Sequence, residues 1–344
     1  MTPTDPRLPV FADVDTGVDD AMGLVYLLAS PEADLVGIAS TGGNVAVDQV
    51  CVNNLGLLQL CGDPDIPVSR GAAQPLACPM RTAEDTHGPA GLGYAELPAS
   101  QRELTDYDSA QAWVRAAHTH AGTLIGLATG PLTNLALALR AEPALPRLLR
   151  RLVIMGGAFD YRGNTTPVAE WNISVDPESA AEVFAAWGAA WGDQDPDHLP
   201  IVLGLNITEH IALTPAILAR LAAAAGSPTS AMSVADVRGT RSAAANPLIG
   251  MLEDAMRFYF EFHHDQGEGY LAHLHDPLAA AVALDPGLVR TRACTVDVEL
   301  DGALTVQGLF DRIDALAESD LDERQQAVLG ALYEWAEQIA PTPD

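Results

Sequence analysis

The sequence predicts an α/β fold, a single domain with a mostly parallel central sheet flanked by helices. Short apolar segments of strand length alternate along the chain with amphipathic segments of helix length, which is the pattern of successive strand–helix–strand units. No internal repeat or low-complexity linker interrupts the 344 residues, and a chain of this length can bury a sizeable core. We therefore expect one domain over residues 1–344.

Apolar segments predict the strands of the central sheet. In chain order they are PVFAD (9–13), DLVGIAS (34–40), IPVSR (66–70), TLIGLAT (123–129), RLVIMGGA (151–158) and PIVLGLN (200–206). Near the end of the chain, CTVDVEL (294–300) and ALTVQGLF (303–310) predict a closing hairpin.

Amphipathic and alanine-rich segments predict the helices between these strands. They are 21–30, 47–60, 131–140, 179–191, 275–284 and 321–339. Pro131 is expected in the first turn of its helix, where the missing N–H is harmless. The stretch 214–273 is also rich in helix-forming sequence, and either covers a site as a lid or forms a packed helical layer.

Composition excludes several classes of function. The net charge is −28 and lysine is absent, which argues against nucleic-acid binding because neutralising phosphates requires a basic face. The four cysteines, Cys51, Cys61, Cys78 and Cys294, form no C-x-x-C pair, so neither a zinc site nor a disulfide framework is expected. The sequence shows neither an apolar run of about 18 residues nor a secretory signal pattern. We expect no membrane partner and a cytoplasmic location.

Four aspartates stand within the eight residues DVDTGVDD (13–20), directly after the first predicted strand. Carboxylates this close raise each other's pKa, so the cluster is costly unless a cation or a proton neutralises it. ATG (128–130) and MGGAFDYRGN (155–164) follow two other predicted strands. Ligands of an open parallel sheet bind at the carboxyl ends of its strands, so all three segments are expected at one edge. A hard cation is the natural occupant.

Two other acidic motifs do not fit this loop. An EF-hand loop that began at Asp13 would need glycine and glutamate where Val18 and Leu24 stand. A phosphotransferase of the haloacid dehalogenase type also begins with a strand and D-x-D. It usually places its threonine one position after Thr16 and pairs the phosphoryl group with a lysine or, occasionally, an arginine. This chain has no lysine and no obvious downstream acidic pair.

Seven segments in order resemble the motifs of the inosine-uridine nucleoside hydrolases. They are DVDTGVDD (13–20), TGGN (41–44), HGPAGLG (87–93), TGPLTN (129–134), MGGA (155–158), GNTTPVAEWN (163–172) and HDP (275–277). The resemblance covers about residues 10 to 312. It implies the Rossmann-like nucleoside hydrolase fold, calcium-dependent hydrolysis of the N-glycosidic bond of a ribonucleoside, and a homodimer or homotetramer.

The resemblance also implies roles for individual residues. Calcium (Ca²⁺) would be bound by Asp15, Asp20, Asp276 and the main-chain carbonyl of Thr129, with Asp15 also acting as general base on a calcium-bound water. His275 stands where purine-active members have a leaving-group acid, and His87 stands where members place a histidine beside the base. The ribose hydroxyls would be bound by Asp19, Asn44, Asn164, Glu170, Asn172 and Asp276.

The chemistry of the bond is consistent with these roles. Its cleavage passes through an oxocarbenium-like transition state, which a carboxylate-rich pocket stabilises. Glu170 and Asn172 are expected to alternate along an extended segment and so to face the same side.

Other polar residues are expected to have structural roles. Asp13 is expected to satisfy main-chain donors at a turn and to orient a neighbouring ligand. Asn134 is expected to hydrogen-bond within its helix. His263 and His264 are expected on a helix surface, while His273 has no assigned place.

Departures from the family pattern leave the substrate open. Thr16 replaces the usual proline, Trp171 replaces a phenylalanine, and the closing hairpin lacks an arginine that often follows its threonine. No residue between Thr214 and His273 can be assigned to base recognition. Alternatives are hydrolysis of a related N-riboside, such as one with a modified base or nicotinamide, and a catalytically silent protein that binds nucleoside or calcium.

Overall fold

The computed structural model describes residues 7–192 and 194–300. Over the described residues up to Val296, the chain forms one compact unit. The predicted hairpin strand 303–310 and terminal helix 321–339 lie outside the described residues. The expectation of one domain over 1–344 therefore stays a prediction for the chain beyond Val296.

Strands and helices alternate along the described chain. The strands are β1 (Leu8–Val14), β2 (Ala33–Ser40), β3 (Val68–Arg70), β4 (Leu124–Ala128), β5 (Leu149–Met155), β6 (Ile201–Leu203), β7 (Ala212–Leu213) and β8 (Ala272–His273). The helices are α1 (Val18–Ala29), α2 (Val47–Leu60), α3 (Glu84–His87), α4 (Ser109–Thr119), α5 (Thr133–Ala141), α6 (Leu145–Leu148), α7 (Trp171–Val175), α8 (Pro177–Trp191), α9 (Leu205–Thr208), α10 (Pro215–Ala224), α11 (Pro247–Asp265) and α12 (His275–Leu284).

Strands β1 to β6 form one parallel sheet in the order β3-β2-β1-β4-β5-β6. All of β4 and the last five residues of β1 are buried, as expected for central strands that helices cover on both faces. The short strands β7 and β8, which the sequence did not predict, pair separately and antiparallel. The predicted fold class, an α/β chain with a parallel central sheet flanked by helices, is confirmed.

The order of the strands reverses at β1 and β4. From β1 the chain adds β2 and β3 on one side, and β4 then begins the other side. Such a reversal opens a crevice at the carboxyl ends of the two strands, where ligands of doubly wound sheets bind. The Thr129 N–H donates to the Asp13 carbonyl at 2.9 Å. The topology therefore brings the aspartate loop after β1 beside the segment after β4.

Helix α11 forms most of the regular structure in the helix-rich stretch 214–273. It packs against α1 and α3, and Leu252, Met256 and Phe260 are buried in the core. Residues 225–246 between α10 and α11 have no regular secondary structure. The stretch thus includes a helix packed into the core, while a movement of this stretch as a lid stays a prediction.

Two local predictions are wrong. Residues 294–300 are irregular instead of forming a strand, and the segment expected to pair with them lies outside the described residues. Helix α5 begins at Thr133, so Pro131 precedes the helix. The N-cap is Leu132, whose carbonyl accepts the N–H of Ala136 at 2.9 Å. Among the described helices, none is long and apolar enough to cross a membrane.

Candidate active site

Asp15 is fully buried directly after β1, and only one of its carboxylate oxygens is hydrogen-bonded. Its Oδ2 accepts the main-chain N–H of Asn44 at 2.8 Å, whereas Oδ1 has no partner among the described residues. Two glycines allow the neighbouring loops to approach this carboxylate. A Cβ on Gly43 would lie 2.1 Å from Oδ2, and one on Gly130 would lie 3.0 Å from Oδ1. The chain therefore encloses Asp15 tightly and leaves one oxygen for a further partner.

Asp20, in the first turn of α1, connects the ends of the two central strands. Its Oδ2 accepts the N–H of Gly17 at 2.9 Å and the amide of Asn44 at 3.2 Å, and its Oδ1 accepts the hydroxyl of Thr129 at 2.7 Å. The positive end of the α1 dipole favours a carboxylate here. Asp20 thus fixes the segment after β4 against the aspartate loop.

The carboxylate cluster consists of Asp15, Asp19, Asp20 and Asp276, the last from the first turn of α12. One carboxylate oxygen from each of Asp19, Asp20 and Asp276 lies within 4.8 Å of the other two, a spacing that could hold a metal ion. Burial and the Asp20 carboxylate raise the pKa of Asp19 to about 7. Burial, followed by the charges of neighbouring aspartates, also raises the pKa of Asp15 and of Asp276 well above the usual range. The cluster therefore requires protons or a cation.

Asp13 has the structural role expected of it, although its donors are side chains instead of main-chain groups. Thr41 Oγ1 donates at 2.5 Å, Trp113 Nε1 at 2.7 Å and Asn134 Nδ2 at 2.9 Å. Asn134 also accepts the N–H of Ala72 at 2.9 Å, so its bonds reach outside its own helix. These contacts hold the end of β1 rigidly and leave Asp13 no free role at the cavity.

Glu170 and Asn172 do not alternate along an extended segment, which corrects the sequence prediction. Glu170 caps helix α7, and its two oxygens accept the N–H groups of Asn172 at 2.8 Å and of Gly157 and Ile173 at 3.0 Å. Helix α7 begins after Glu170 because the glutamate side chain accepts main-chain N–H groups of the first turn, which would otherwise be unpaired. Asn172 Nδ2 donates to the carbonyl of Thr129 at 2.8 Å. Both side chains still line the cavity.

Asn44 and Asn164 occupy different environments. Asn44 is buried and bonds both Asp15 and Asp20, as described above, so it is more than a turn residue. Asn164 is exposed, and its Oδ1 accepts the N–H of Trp171 at 2.9 Å. Asn44 therefore supports the carboxylate cluster, while Asn164 lies where the cavity meets solvent.

His87 and His275, both predicted from the sequence, line the cavity, and each has one ring nitrogen hydrogen-bonded within the protein. Nδ1 of His87 accepts the N–H of Val18 at 3.2 Å, and Nδ1 of His275 shares a hydrogen bond of 2.7 Å with the hydroxyl of Thr208. Burial lowers the pKa of both rings to about 3, with nearby histidine charge contributing. The lowered pKa of His87 favours its neutral ring, so its contact with Asp19 at 4.0 Å is not an ion pair.

His263 is buried, which corrects the prediction that it is a surface residue; the adjacent His264 is exposed as predicted. Aromatic side chains three and four residues apart share a helix face, and α11 turns Tyr259, Phe262 and His263 toward the cavity. His273, which had no assigned place, lines the same wall. We call His87, His263, His273 and His275 the histidine group.

One cavity of about 490 Å³ joins these residues, a size typical of small-molecule sites. Asp15 and Asp20 are buried behind its wall and do not line it. The predicted residues that line it are Asp19, Asn44, His87, Thr129, Asn164, Glu170, Asn172, His275 and Asp276.

Sequence reasoning missed several residues of this wall. Tyr259, Phe262 and His263 could have been found from their helical spacing, but nothing in the sequence alone tells which helix face meets a cavity. Arg162, Glu209 and Glu268 come from separate loops and helix ends, and no spacing signal connects them.

Comparison with known proteins supports the resemblance. The family model described as inosine-uridine preferring nucleoside hydrolase matches residues 10–328. The pyrimidine-specific ribonucleoside hydrolase RihA of Salmonella paratyphi B is 34% identical over 304 residues, 88% of this chain and 87% of the relative. RihA of Citrobacter koseri is 35% identical, with the same coverage.

Solved structures agree in fold. A plant nucleoside hydrolase, PpNRh1, is 31% identical with a TM-score of 0.73, covering 86% of this chain and 85% of that one. A purine-preferring ribonucleoside hydrolase from Gardnerella vaginalis is 29% identical with a TM-score of 0.72 and the same coverage. The chain therefore belongs to the inosine-uridine preferring nucleoside hydrolase family and is an enzyme of the nucleoside hydrolase class.

Proposed function

We propose that this enzyme hydrolyses the N-glycosidic bond of ribonucleosides in a calcium-dependent reaction that gives free base and ribose. The observation that carries the proposal is a cavity of about 490 Å³ where buried carboxylates, amides and histidines meet. Carboxylates stabilise positive charge on a ribosyl group, and imidazoles bind a heterocyclic base. The RihA relatives are named pyrimidine-specific and the Gardnerella enzyme purine-preferring, so ribose is the part that their substrates share.

The carboxylate cluster fits a hard cation such as calcium. Every donor in it is an oxygen, Asp15 Oδ1 has no partner among the described residues, and the raised carboxylate pKa values reflect burial and mutual repulsion that a cation relieves. Asp15, Asp20, Asp276 and the Thr129 carbonyl would hold the ion, and Asp19 is a further candidate ligand because of its spacing. Bound calcium supplies a polarised water and fixes sugar hydroxyls.

Asp15 acts as the general base in this proposal. Its unpartnered Oδ1 is the atom available to accept a proton from the attacking water as the water oxygen bonds to C1′ of the ribose. The close packing of Gly43 and Gly130 prevents the carboxylate from turning away. The base is therefore fixed in position before substrate binds, which limits reorganisation during the reaction.

The ribose hydroxyls are bound by polar groups at the strand ends. Carboxylate and amide groups that hydrogen-bond a hydroxyl strongly disfavour a sugar that lacks it, because they are then left buried and unpaired. Glu170 is held by three main-chain N–H groups, so its orientation is set without substrate. The proposed ribose-binding residues are Asp19, Asn44, Asn164, Glu170, Asn172 and Asp276.

His275 and His87 are assigned to the base. Each has Nδ1 paired within the protein, which leaves Nε2 to interact with the base. In His87 the Nδ1 atom accepts a hydrogen bond, so the neutral ring carries its proton on Nε2 and can donate it to a base acceptor. We propose His275 as the proton donor to a departing purine base.

Two alternatives share the same pocket. A related N-riboside, with a modified base or nicotinamide, would use the same ribose contacts. A catalytically silent protein that binds nucleoside or calcium is expected to have lost Asp15 or His275, and this chain retains both. The homodimer or homotetramer and the cytoplasmic location expected from the sequence stay predictions.

The test is ribose release, measured by a reducing-sugar assay with inosine, adenosine, guanosine, uridine and cytidine. Each reaction is run with calcium, after chelation, and after calcium is restored. Release that stops on chelation and returns with calcium supports the proposal and ranks the bases. No release from any nucleoside, from a protein that still binds calcium, would contradict it, and nicotinamide riboside would then be tested.

A further inference from the structure

Three side chains of the cavity wall that the proposed function does not use come from one short segment. His263 lies in the last turn of α11, Glu268 in the loop that follows, and His273 at the end of β8. Four residues separate each from the next. All three line the cavity, and one possible ligand atom from each lies within 4.8 Å of the other two. Two imidazoles and a carboxylate thus meet outside the carboxylate cluster.

A single oxygen of Glu268 faces both imidazoles. Nδ1 of His263 hydrogen-bonds Oε2 of Glu268 at 2.7 Å, and Nε2 of His273 lies 3.4 Å from the same oxygen. Ligand atoms around a tetrahedral zinc ion are about 3.3 Å apart, because each lies about 2.0–2.1 Å from the metal. The His273 distance already matches this spacing, and the His263 distance must open by roughly 0.6 Å. One ion can therefore reach all three atoms after a small adjustment.

The backbone holds these ligands in place without a metal. Gly267 and Gly269, on either side of Glu268, have φ of +80° and +105°, which side-chain-bearing residues rarely adopt. The Glu268 N–H donates to the carbonyl of His263 at 3.0 Å, and His273 is paired with β7. A tight turn and a strand pair therefore set the positions of the three ligands, which lowers the entropy cost of binding an ion.

The charges around Glu268 also suit a divalent cation. Arg162 Nη2 lies 2.9 Å from Oε1 of Glu268, so the arginine holds one carboxylate oxygen and leaves Oε2 directed at the imidazoles. Arg162 also forms an ion pair with Glu209 at 2.9 Å, which offsets its positive charge. The net charge of −28 favours the approach of cations in general.

The donor set distinguishes this group from the carboxylate cluster. Among the described residues, these are the two groups of three or more side chains with donor atoms spaced for a metal ion. The cluster offers only oxygen, which calcium prefers, whereas imidazole suits zinc and other transition metals. Two imidazoles and one carboxylate, with a fourth position open, form a common zinc donor set in proteins.

We propose that His263, Glu268 and His273 form a second metal site, which binds zinc through Nδ1, Oε2 and Nε2 respectively. The site goes beyond the proposed nucleoside hydrolysis and does not depend on it. Zinc takes the place of the Nδ1 proton of His263, and the neutral ring then carries its proton on Nε2. Nε2 of His263 has no hydrogen-bond partner among the described residues, so no contact opposes this change. Water fills the fourth position of the ion.

Zinc binding to the calcium-saturated, full-length protein tests the site. Equilibrium dialysis with metal analysis should find one zinc ion per chain, bound without release of calcium. Glu268→Gln and His273→Ala should each weaken zinc affinity by more than about 100-fold, since losing a ligand costs more than losing its outer partner. His264→Ala, which removes an exposed ring beside His263, is the matched control and should keep wild-type affinity. Retained calcium in each variant would show that the fold is intact.

Cobalt in place of zinc identifies the donor atoms by absorption. Nitrogen and oxygen ligands give visible d–d bands, whereas a cysteine thiolate adds an intense near-ultraviolet band. We expect d–d bands without a thiolate band, lost in Glu268→Gln and kept in His264→Ala. A thiolate band, zinc that only displaces calcium, or equal zinc affinity in wild type and Glu268→Gln would overturn the proposal. Zinc bound as expected by a protein that releases no ribose would count against the proposed function alone.

Discussion

The carboxylate cluster and the histidine group belong to the same active site but come from different kinds of sequence. Three of the four clustered aspartates lie within residues 15–20, and the fourth lies in the first turn of α12. The histidines come from α3, α11, β8 and the start of α12, between residues 87 and 275. Most of the carboxylate cluster thus lies in one short segment after β1, whereas the histidine group depends on how distant helices pack.

The largest expected effect concerns Asp15, because it combines two roles in the carboxylate cluster. Asp15→Asn should lower kcat on every nucleoside and on p-nitrophenyl riboside by roughly 10³-fold or more, since the general base and a metal ligand are both lost. Circular dichroism should show an intact fold. Asp85→Asn, which alters an exposed carboxylate of the cavity wall, is the control. Near-normal turnover by Asp15→Asn would rule out the mechanism.

Calcium should stabilise the protein through the cluster and not through the histidine group. A ligand that binds only the folded state adds about 2.7 kcal/mol to the free energy of unfolding at a hundred times its Kd. The melting temperature should therefore rise with calcium, and the rise should largely disappear in Asp276→Asn but persist in His263→Ala. An equal calcium shift in wild type and Asp276→Asn would show that the ion binds elsewhere.

A smaller effect tests the tight packing behind Asp15. Gly43→Ala places a Cβ 2.1 Å from Oδ2 of this carboxylate, and we expect a loss of about 1–3 kcal/mol in the free energy of unfolding together with reduced turnover. Gly188→Ala in α8 meets no atom within 4 Å and should stabilise by roughly 0.5–1 kcal/mol. Denaturant unfolding of both variants checks the contrast, which would fail if Gly43→Ala were neutral.

The smallest effect is the pH dependence that Glu268 contributes. The His263 hydrogen bond is the main cause that lowers the pKa of Glu268, from 4.5 to about 2. A lowered folded-state pKa adds stability above pH 4.5 that is lost as the pH falls toward 2. Wild type should therefore lose more stability than Glu268→Gln across this interval. Parallel curves in acid denaturation would contradict the Glu268–His263 contact.

The same contrast explains how much could be predicted from the sequence. The parallel sheet and the position of the aspartate loop followed from strand patterning, because parallel strands bring their carboxyl ends to one edge. The predicted residues of the cavity wall came from the resemblance to the nucleoside hydrolase motifs. Glu170 and Asn172 were assigned to the site but to the wrong local structure, since capping by Glu170 starts a short helix there. His263 was missed because the helix face that meets the cavity is set by tertiary packing, which the periodicity of α11 does not specify.

The most direct test of the account follows calcium binding and ribose release in one chelated sample. Calcium is added back in steps, and bound ion and ribose release are measured at each step for wild type and Asp276→Asn. The account predicts that wild-type activity recovers in proportion to bound calcium, and that Asp276→Asn recovers neither at the same concentrations. Full ribose release from wild-type protein without bound calcium would contradict it.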